Sequence, residues 1–359
     1  MAALERLIDM LIIDPHVHLR DWNEAHKETM AHGFSVAWAA GISALFEMPN
    51  TSPPLTKRSS IERRIAEADE ILRRLDIPLF HGLHAGITAN PDQIRQIVSI
   101  HDELFPRVVG FKLYVGHSTG DMGITEISDQ LKVWKTLAGL GYRGVVAIHA
   151  ENQKFLRPEL QDSKRPETHG MSRPPLSEVA AIQTQLVLAE TVSFRGHLHF
   201  CHVSLSDSLS LIRSQQRGLP FGVTIGVTPH HLMLNDSQAA RSALLSVNPP
   251  IRNEKNRNLM FQHVLRGDVD WIETDHAPHT LADKRRGASG LPGFAGLRLL
   301  FDRFEKLGVS ALDFAKASGD VICDTYGIDG SAFVMNEKLS DYYELAGEYP
   351  WNPYEGMDS

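Results

Sequence analysis

The chain reads as one (β/α)8 barrel. Eight short, β-rich apolar runs recur along its 359 residues, and nearly every run is followed by a longer segment of helical pattern. Strands that alternate with helices pair in parallel, and eight such units over this length suit a closed barrel better than an open sheet. No low-complexity linker, short-period repeat or internal boundary divides the series.

The first predicted strand, 10–14, is the run Met10-Leu11-Ile12-Ile13-Asp14, with a helical pattern over 27–40. The second, 43–48 (Ser-Ala-Leu-Phe-Glu-Met), leads into a helix over 58–75. Strands at 78–85 and 108–114 are followed by helices at 92–101 and 125–140. The fifth strand, 144–149, is separated from its helix, 177–193, by a long connection. That connection, 150–177, is rich in Pro, Arg and Ser (Arg157-Pro158, Arg165-Pro166, Arg173-Pro174-Pro175) and reads as a functional or disordered loop. Strands 196–203, 221–227 and 270–274 complete the set, with helices at 206–217, 253–266, 295–307 and 310–325. The expected organisation is an extension over 1–9, the barrel over 10–334, and an acidic, aromatic tail over 335–359. The tail has no assignable chemistry and is expected to pack on the barrel exterior or on another subunit.

Composition narrows the class. Hydrophobic content of 42% with 22% charged residues is that of a soluble globular protein with a large core. A net charge of −8 without a Lys/Arg stripe argues against nucleic acid as partner. No run approaches the ~20 apolar residues of a membrane helix, and Met1-Ala2-Ala3-Leu4-Glu5-Arg6 lacks the order of a signal peptide. A cytoplasmic enzyme is the default expectation. Cys201 and Cys323 cannot form a disulfide framework, and Cys201 reads as a small buried hydrophobe.

Barrel enzymes keep their chemistry at the C-terminal ends of the strands. His16 and His18 follow the first strand and, spaced i, i+2, project together into one site. Lys112 lies at the end of the fourth strand, His149 of the fifth and His202 of the sixth, while Asp275 follows the eighth. A single strand-end histidine is more often a structural hydrogen-bonder than a ligand, but six such coincidences at one end of a barrel point to a metal site. Four histidines and an aspartate suit zinc, with manganese, cobalt or iron also accommodated. Lys112 is the odd member: either it reaches the surface, or its neutral amine has captured carbon dioxide as a bridging carbamate.

These residues sit in motifs that, in combination, resemble the dihydroorotases of the amidohydrolase superfamily. They include Asp14-Pro15-His16-Val17-His18-Leu19-Arg20-Asp21, Met48-Pro49-Asn50-Thr51, Phe111-Lys112-Leu113-Tyr114 and His149-Ala150-Glu151. Cys201-His202-Val203-Ser204, Thr228-Pro229-His230-His231, Asn248-Pro249-Pro250 and Thr274-Asp275-His276-Ala277-Pro278-His279 continue the series. The resemblance implies two zinc ions per subunit, His16, His18 and Asp275 holding one and His149 and His202 the other. Carboxylated Lys112 and a hydroxide would bridge them, with Asp275 as the catalytic proton carrier. It further implies that Arg20 and Asn50 bind a substrate carboxylate and that Asn248 and His279 contact the substrate ring. A guanidinium suits bidentate carboxylate recognition; the alternatives are a surface salt bridge for Arg20 and a turn role for Asn50.

The implied reaction is the reversible cyclisation of N-carbamoyl-L-aspartate to L-dihydroorotate in pyrimidine biosynthesis. The implied partners are a small-molecule substrate, further copies of the chain in a homo-oligomer, and aspartate carbamoyltransferase as an optional associate. Two other readings compete: an allantoinase- or hydantoinase-type hydrolase, whose substrates lack a carboxylate for Arg20, and a non-catalytic scaffold for aspartate carbamoyltransferase. The β-sandwich common in the superfamily is expected to be absent or vestigial. In place of the proline and paired threonines frequent after the Lys-Leu-Tyr motif stand Val115-Gly116-His117-Ser118-Thr119. The stretch Val115-Gly116-His117-Ser118-Thr119-Gly120 and the 150–177 connection are the candidates for a loop closing over substrate.

Overall fold

The computed structural model describes residues 10–117, 122–309 and 316–357. The expected 1–9 extension, Ser118–Gly120 of the candidate loop and the start of the expected 310–325 helix lie outside the described residues.

Eight parallel strands pair in sequence order: β1 (Ile13–Val17), β2 (Ala44–Glu47), β3 (Phe80–Gly86), β4 (Val108–Tyr114), β5 (Val145–His149), β6 (His197–Phe200), β7 (Gly222–Val227) and β8 (Trp271–Ile272). The ring closes where Val17 bridges His276 in parallel and the His18 N–H donates to the His276 carbonyl at 2.7 Å. The principal helices are α1 (Met30–Ala39), α2 (Arg58–Leu75), α3 (Pro91–Leu104), α4 (Ile127–Gly139), α5 (Pro175–Thr191), α6 (Ser206–Gln215), α7 (Glu254–Leu265) and α8 (Phe294–Lys306), one after each strand. This is the (β/α)8 barrel expected from the sequence.

Side chains alternate across the wall, as strand geometry requires. On β4, Phe111 and Leu113 face the layer between strands and helices, where Tyr142 stacks on Phe111 at 4.4 Å, while Lys112 and Tyr114 face the barrel's open end. The opposite end is filled. Ile13, Phe46, Val109 and Trp271 pack there against Ile322, Tyr326 and Ile328, and the Tyr326 hydroxyl lies 3.0 Å from His84 Nε2. Chemistry is therefore confined to the end where the strands finish.

Three expectations need correction. The first strand is shifted to Ile13–Val17, because pairing with β2 continues past Pro15 through an irregular register between Asp14 and Val17. Strands six and eight are shorter than 196–203 and 270–274: His202 (φ 39°) and Asp275 (φ 49°) adopt left-handed backbone and turn the chain out of the ladder. The 150–177 connection is not structureless. It holds short 3-10 turns at Gln153–Phe155 and Pro158–Leu160 and a helix at Glu167–Ser172. Pro175, counted with the loop, is the first residue of α5, where its missing N–H costs nothing.

A buried ion pair fixes the first two units to each other. Arg64 of α2 and Glu47 of β2 are both inaccessible to solvent; Arg64 Nε and Nη2 donate to the two Glu47 oxygens at 3.0 and 2.5 Å. Arg64 Nη2 also donates to the carbonyls of Leu19 and Arg20 at 3.1 and 2.8 Å, which holds the chain just after His18. Removing one member of such a pair leaves a charge buried without compensation. Arg64→Met is expected to lower the free energy of unfolding by about 3–5 kcal/mol, measured by urea denaturation; an unchanged midpoint would show that the pair is dispensable.

Candidate active site

At the C-terminal ends of the strands lies a narrow cavity. His16, His18, Arg20, Asn50, Lys112, His149, His202, Asn248 and Asp275 all line it, so the structure gathers every residue singled out in the sequence except His279. His279 stands behind, its Nε2 3.2 Å from Arg20 Nη2 and 2.9 Å from the Ser289 carbonyl.

The four histidines form a continuous row. Ring centroids are 5.3 Å apart for His16 and His18, 5.0 Å for His16 and His202, and 4.9 Å for His202 and His149. Asp275 Oδ1 lies 2.9 Å from His18 Nε2 and 3.4 Å from His16 Nε2. At the other end of the row His149 Nδ1 faces His202 Nε2 at 3.2 Å.

Neighbours set which nitrogen of each ring faces the cavity. Glu151 accepts from His149 Nε2 at 3.0 Å, turning Nδ1 inward; Asn50 Oδ1 accepts from His18 Nδ1 at 2.7 Å, turning Nε2 toward Asp275. Burial lowers the pKa of His149 and His202 and takes that of His18 down to about 4, so these rings are neutral and keep a lone pair. Burial and Lys112 also press His16 down, but the Cys201 thiol and the Glu273 carboxylate outweigh them and carry it to about 9. The floor of the site thus favours positive charge. Burial works against ionisation of Asp275 too, yet His16 and the other neighbouring histidines hold its carboxyl below the usual range.

The donor set fits a metal. Single ligand atoms of His16, His18 and Asp275 lie within 4.8 Å of one another. His16 Nε2 comes no nearer than 3.4 Å to Asp275 and its Nδ1 no nearer than 3.3 Å to Glu273, both longer than a well-formed hydrogen bond. Buried polar atoms left this way lose free energy unless something occupies the space between them. Imidazole nitrogens with a carboxylate oxygen suit zinc and its neighbours.

Lys112 does not reach the surface. It is fully buried, its Nζ 3.1 Å from Cys201 Sγ and 5.2 Å from the Tyr114 ring. Cys201 is buried as expected but is polar in role: burial raises its pKa, while Lys112, His16 and His199 pull it down to about 5. Arg20 is likewise buried, and its Nε donates to the Pro278 carbonyl at 3.0 Å.

Several functional residues escaped the sequence reading. Glu273 lies under the site, 3.3 Å from His16 Nδ1; it accepts from His199 Nε2 at 2.9 Å, from Trp271 Nε1 at 3.0 Å and from the His202 N–H at 2.5 Å. A carboxylate in the otherwise apolar run Trp271-Ile272-Glu273 was the available signal. The Glu151 partner Arg173 comes from the 150–177 connection, where only arginine content marked it. Tyr114 lines the cavity, and its hydroxyl is buried without a partner among the described residues.

No family model matches the sequence. Among curated relatives, the dihydroorotase of Pyrococcus abyssi is 32% identical over 361 residues, covering 96% of this chain and 78% of that protein. The dihydroorotase of Thermococcus kodakarensis is 31% identical, with the same coverage. Among solved structures, L-hydantoinase (dihydropyrimidinase) from Arthrobacter aurescens superimposes with a TM-score of 0.77 at 22% identity, over 89% of this chain and 71% of that one. Dihydroorotase from Campylobacter jejuni gives 0.68 at 17% identity, over 89% and 84%. The structural likenesses establish the barrel; identity sustained through nearly the whole sequence goes further, and by it the chain belongs to the dihydroorotase family.

Proposed function

We propose that the protein interconverts N-carbamoyl-L-aspartate and L-dihydroorotate as a metal-dependent cyclic amide hydrolase of pyrimidine biosynthesis. The observation that carries this reading is one cavity shared by a metal-competent His/Asp cluster and the buried guanidinium of Arg20. A buried cation facing a cavity suits a ligand that brings its own carboxylate, which dihydroorotate does and allantoin, hydantoin and dihydrouracil do not.

In this reading His16, His18 and Asp275 hold one divalent cation and His149 and His202 a second, with zinc the expected metal. Cations at such positions lower the pKa of bound water toward neutrality and polarise a carbonyl. An ammonium beside four imidazoles would oppose them. Loss of a proton from Lys112, followed by addition of carbon dioxide to the resulting amine with loss of a second proton, would replace that positive charge with an anionic, two-oxygen ligand.

The chain's own residues then bind and move protons. Arg20 and Asn50 grip the substrate carboxylate. Asn248, whose Oδ1 is buried without a partner among the described residues, faces the ring, while His279 steadies Arg20 from behind rather than lining the cavity. Asp275, kept ionised, accepts a proton from the attacking water and delivers it to the amide nitrogen that leaves as the ring opens. In the direction of ring closure the substrate's side-chain carboxylate takes up one proton from solvent, and Asp275 transfers the ureido proton to the departing oxygen, which leaves as water.

The deciding experiment follows ultraviolet absorbance of the zinc-loaded protein with L-dihydroorotate, allantoin, hydantoin and dihydrouracil in parallel. Turnover of dihydroorotate alone is expected; turnover only of the uncharged rings would falsify the Arg20 clamp and leave a hydantoinase-type enzyme. Asp275→Asn keeps a residue that tolerates left-handed backbone. It should retain metal while kcat falls about a thousandfold, and near-normal turnover would remove Asp275 as proton carrier. Arg20→Met should raise KM for dihydroorotate about a hundredfold with metal content unchanged; loss of metal instead would make Arg20 structural. Lys112→Ala should weaken metal retention about 10–100-fold, in part restored by added short carboxylic acids. Full metal content in that variant would argue against a carbamate bridge.

A further inference from the structure

The C-terminal tail reaches the active site from behind at two points. At the first, the Tyr349 hydroxyl donates to Glu28 Oε1 at 2.9 Å. Glu28 is a buried carboxylate whose Oε2 lies 3.2 Å from His276 Nε2. The Nδ1 of His276 accepts the Gly293 N–H at 3.1 Å, so its proton is on Nε2 and is donated to Glu28. The ring is also stacked on Phe294, centroids 3.8 Å apart. His276 directly follows Asp275, and its carbonyl accepts the His18 N–H at 2.7 Å. One rigid peptide thus joins two of the candidate metal ligands, and the tail helps to hold it.

At the second point the Trp351 ring lies 5.6 Å from Nζ of Lys284. Lys284 is fully buried, and the one charged group among the described residues that bears on it strongly is Arg20, a like charge. Its ammonium donates to the carbonyls of Ser246 at 2.8 Å and Gly290 at 2.7 Å. Gly290 lines the cavity, and Ser246 lies two residues before Asn248, which lines it too. Burial lowers the pKa of Lys284 to about 7, so the charge depends on what surrounds it. An aromatic face beside an ammonium whose hydrogen-bond partners are neutral carbonyls supplies part of that support and keeps water away.

We propose that Tyr349–Trp351 is a positioning element of the active site, Tyr349 holding the His18–Asp275 end through Glu28 and His276, and Trp351 holding the Asn248–Gly290 wall through Lys284. The kinetic part of this inference rests on the dihydroorotase reading; the metal part does not.

The test compares Tyr349→Phe, Trp351→Leu and Trp351→Phe in the full-length, zinc-loaded protein. Tyr349→Phe should release zinc to a chelator about tenfold faster and lose a similar factor in kcat, with KM little changed. Trp351→Leu should raise KM for L-dihydroorotate about fivefold with kcat and zinc release near wild type, and Trp351→Phe should restore KM. If Trp351→Leu does not fold, Lys284→Met should show the same KM defect. Variants that lower only the melting temperature, with zinc release and both kinetic constants intact, overturn the proposal. A wild-type protein that binds zinc but does not turn over dihydroorotate removes the functional reading, while zinc release from Tyr349→Phe still decides the Tyr349 half.

Discussion

A carboxylate cut off from water, that of Glu273, carries the open end of this barrel. Burial would drive it toward its neutral form, yet the neighbouring His199 and His16 hold it well below the usual carboxylate range. Its oxygens fix the backbone N–H of His202 and the ring of His199, and they lie beneath His16, so β1, β6 and β8 are tied at one point under the cavity. The packing agrees: Gly226 of β7 has no side chain because a Cβ there would stand 2.5 Å from the Glu273 carboxyl carbon. Replacing this group by an apolar side chain would leave the His202 N–H and the His199 ring without their acceptor.

Around that centre several other buried charges are arranged in pairs that tie loops to strand ends. Glu47 with Arg64 holds the turn after His18. Glu151 with Arg173 anchors the long connection after β5, and Arg173 also donates to the His117 carbonyl at 2.9 Å. Arg252 continues the chain by donating to the Arg173 carbonyl at 2.8 Å and to Ser204 Oγ at 3.0 Å, beside Glu178. Such pairs are weak contributors to net stability, because desolvation offsets the attraction. They are directional, however, and an ordered site needs directional contacts where strands give way to loops.

The same economy shows in the backbone. His202 and Asp275 occupy left-handed conformations, each at a cost of order 1–3 kcal/mol for a residue other than glycine. Both are strand-end residues aimed at the cavity, and both end their strands early. The surrounding hydrogen bonds over-determine these positions: Glu273 holds the His202 N–H, and on either side of Asp275 the Thr274 N–H donates to Asp14 while the His276 N–H meets Thr274 Oγ1. Strain tolerated in this way lets two side chains from different strands point into one cavity.

The sequence by itself determined the barrel, the order of its strands and nearly the whole cavity lining. The strands and the six strand-end residues follow from local pattern: short apolar runs, helical spacing between them, and metal-type residues repeated at strand ends; Arg20, Asn50 and Asn248 are reached only through the resemblance of their motifs. Tertiary structure alone decided how the rings are turned and what lies beneath them. Nothing local to His18 says that Asn50 accepts from its Nδ1, and nothing local to Glu273 says that it receives a ring from β6. The ordering of 150–177 depends on Arg173 meeting Glu151 across 22 positions of chain. The tail depends on Tyr349 and Trp351 finding Glu28 and Lys284, partners that no periodicity in an acidic, aromatic segment could name. Pattern reads which way a side chain faces; only folding brings residues distant in sequence within hydrogen-bonding range.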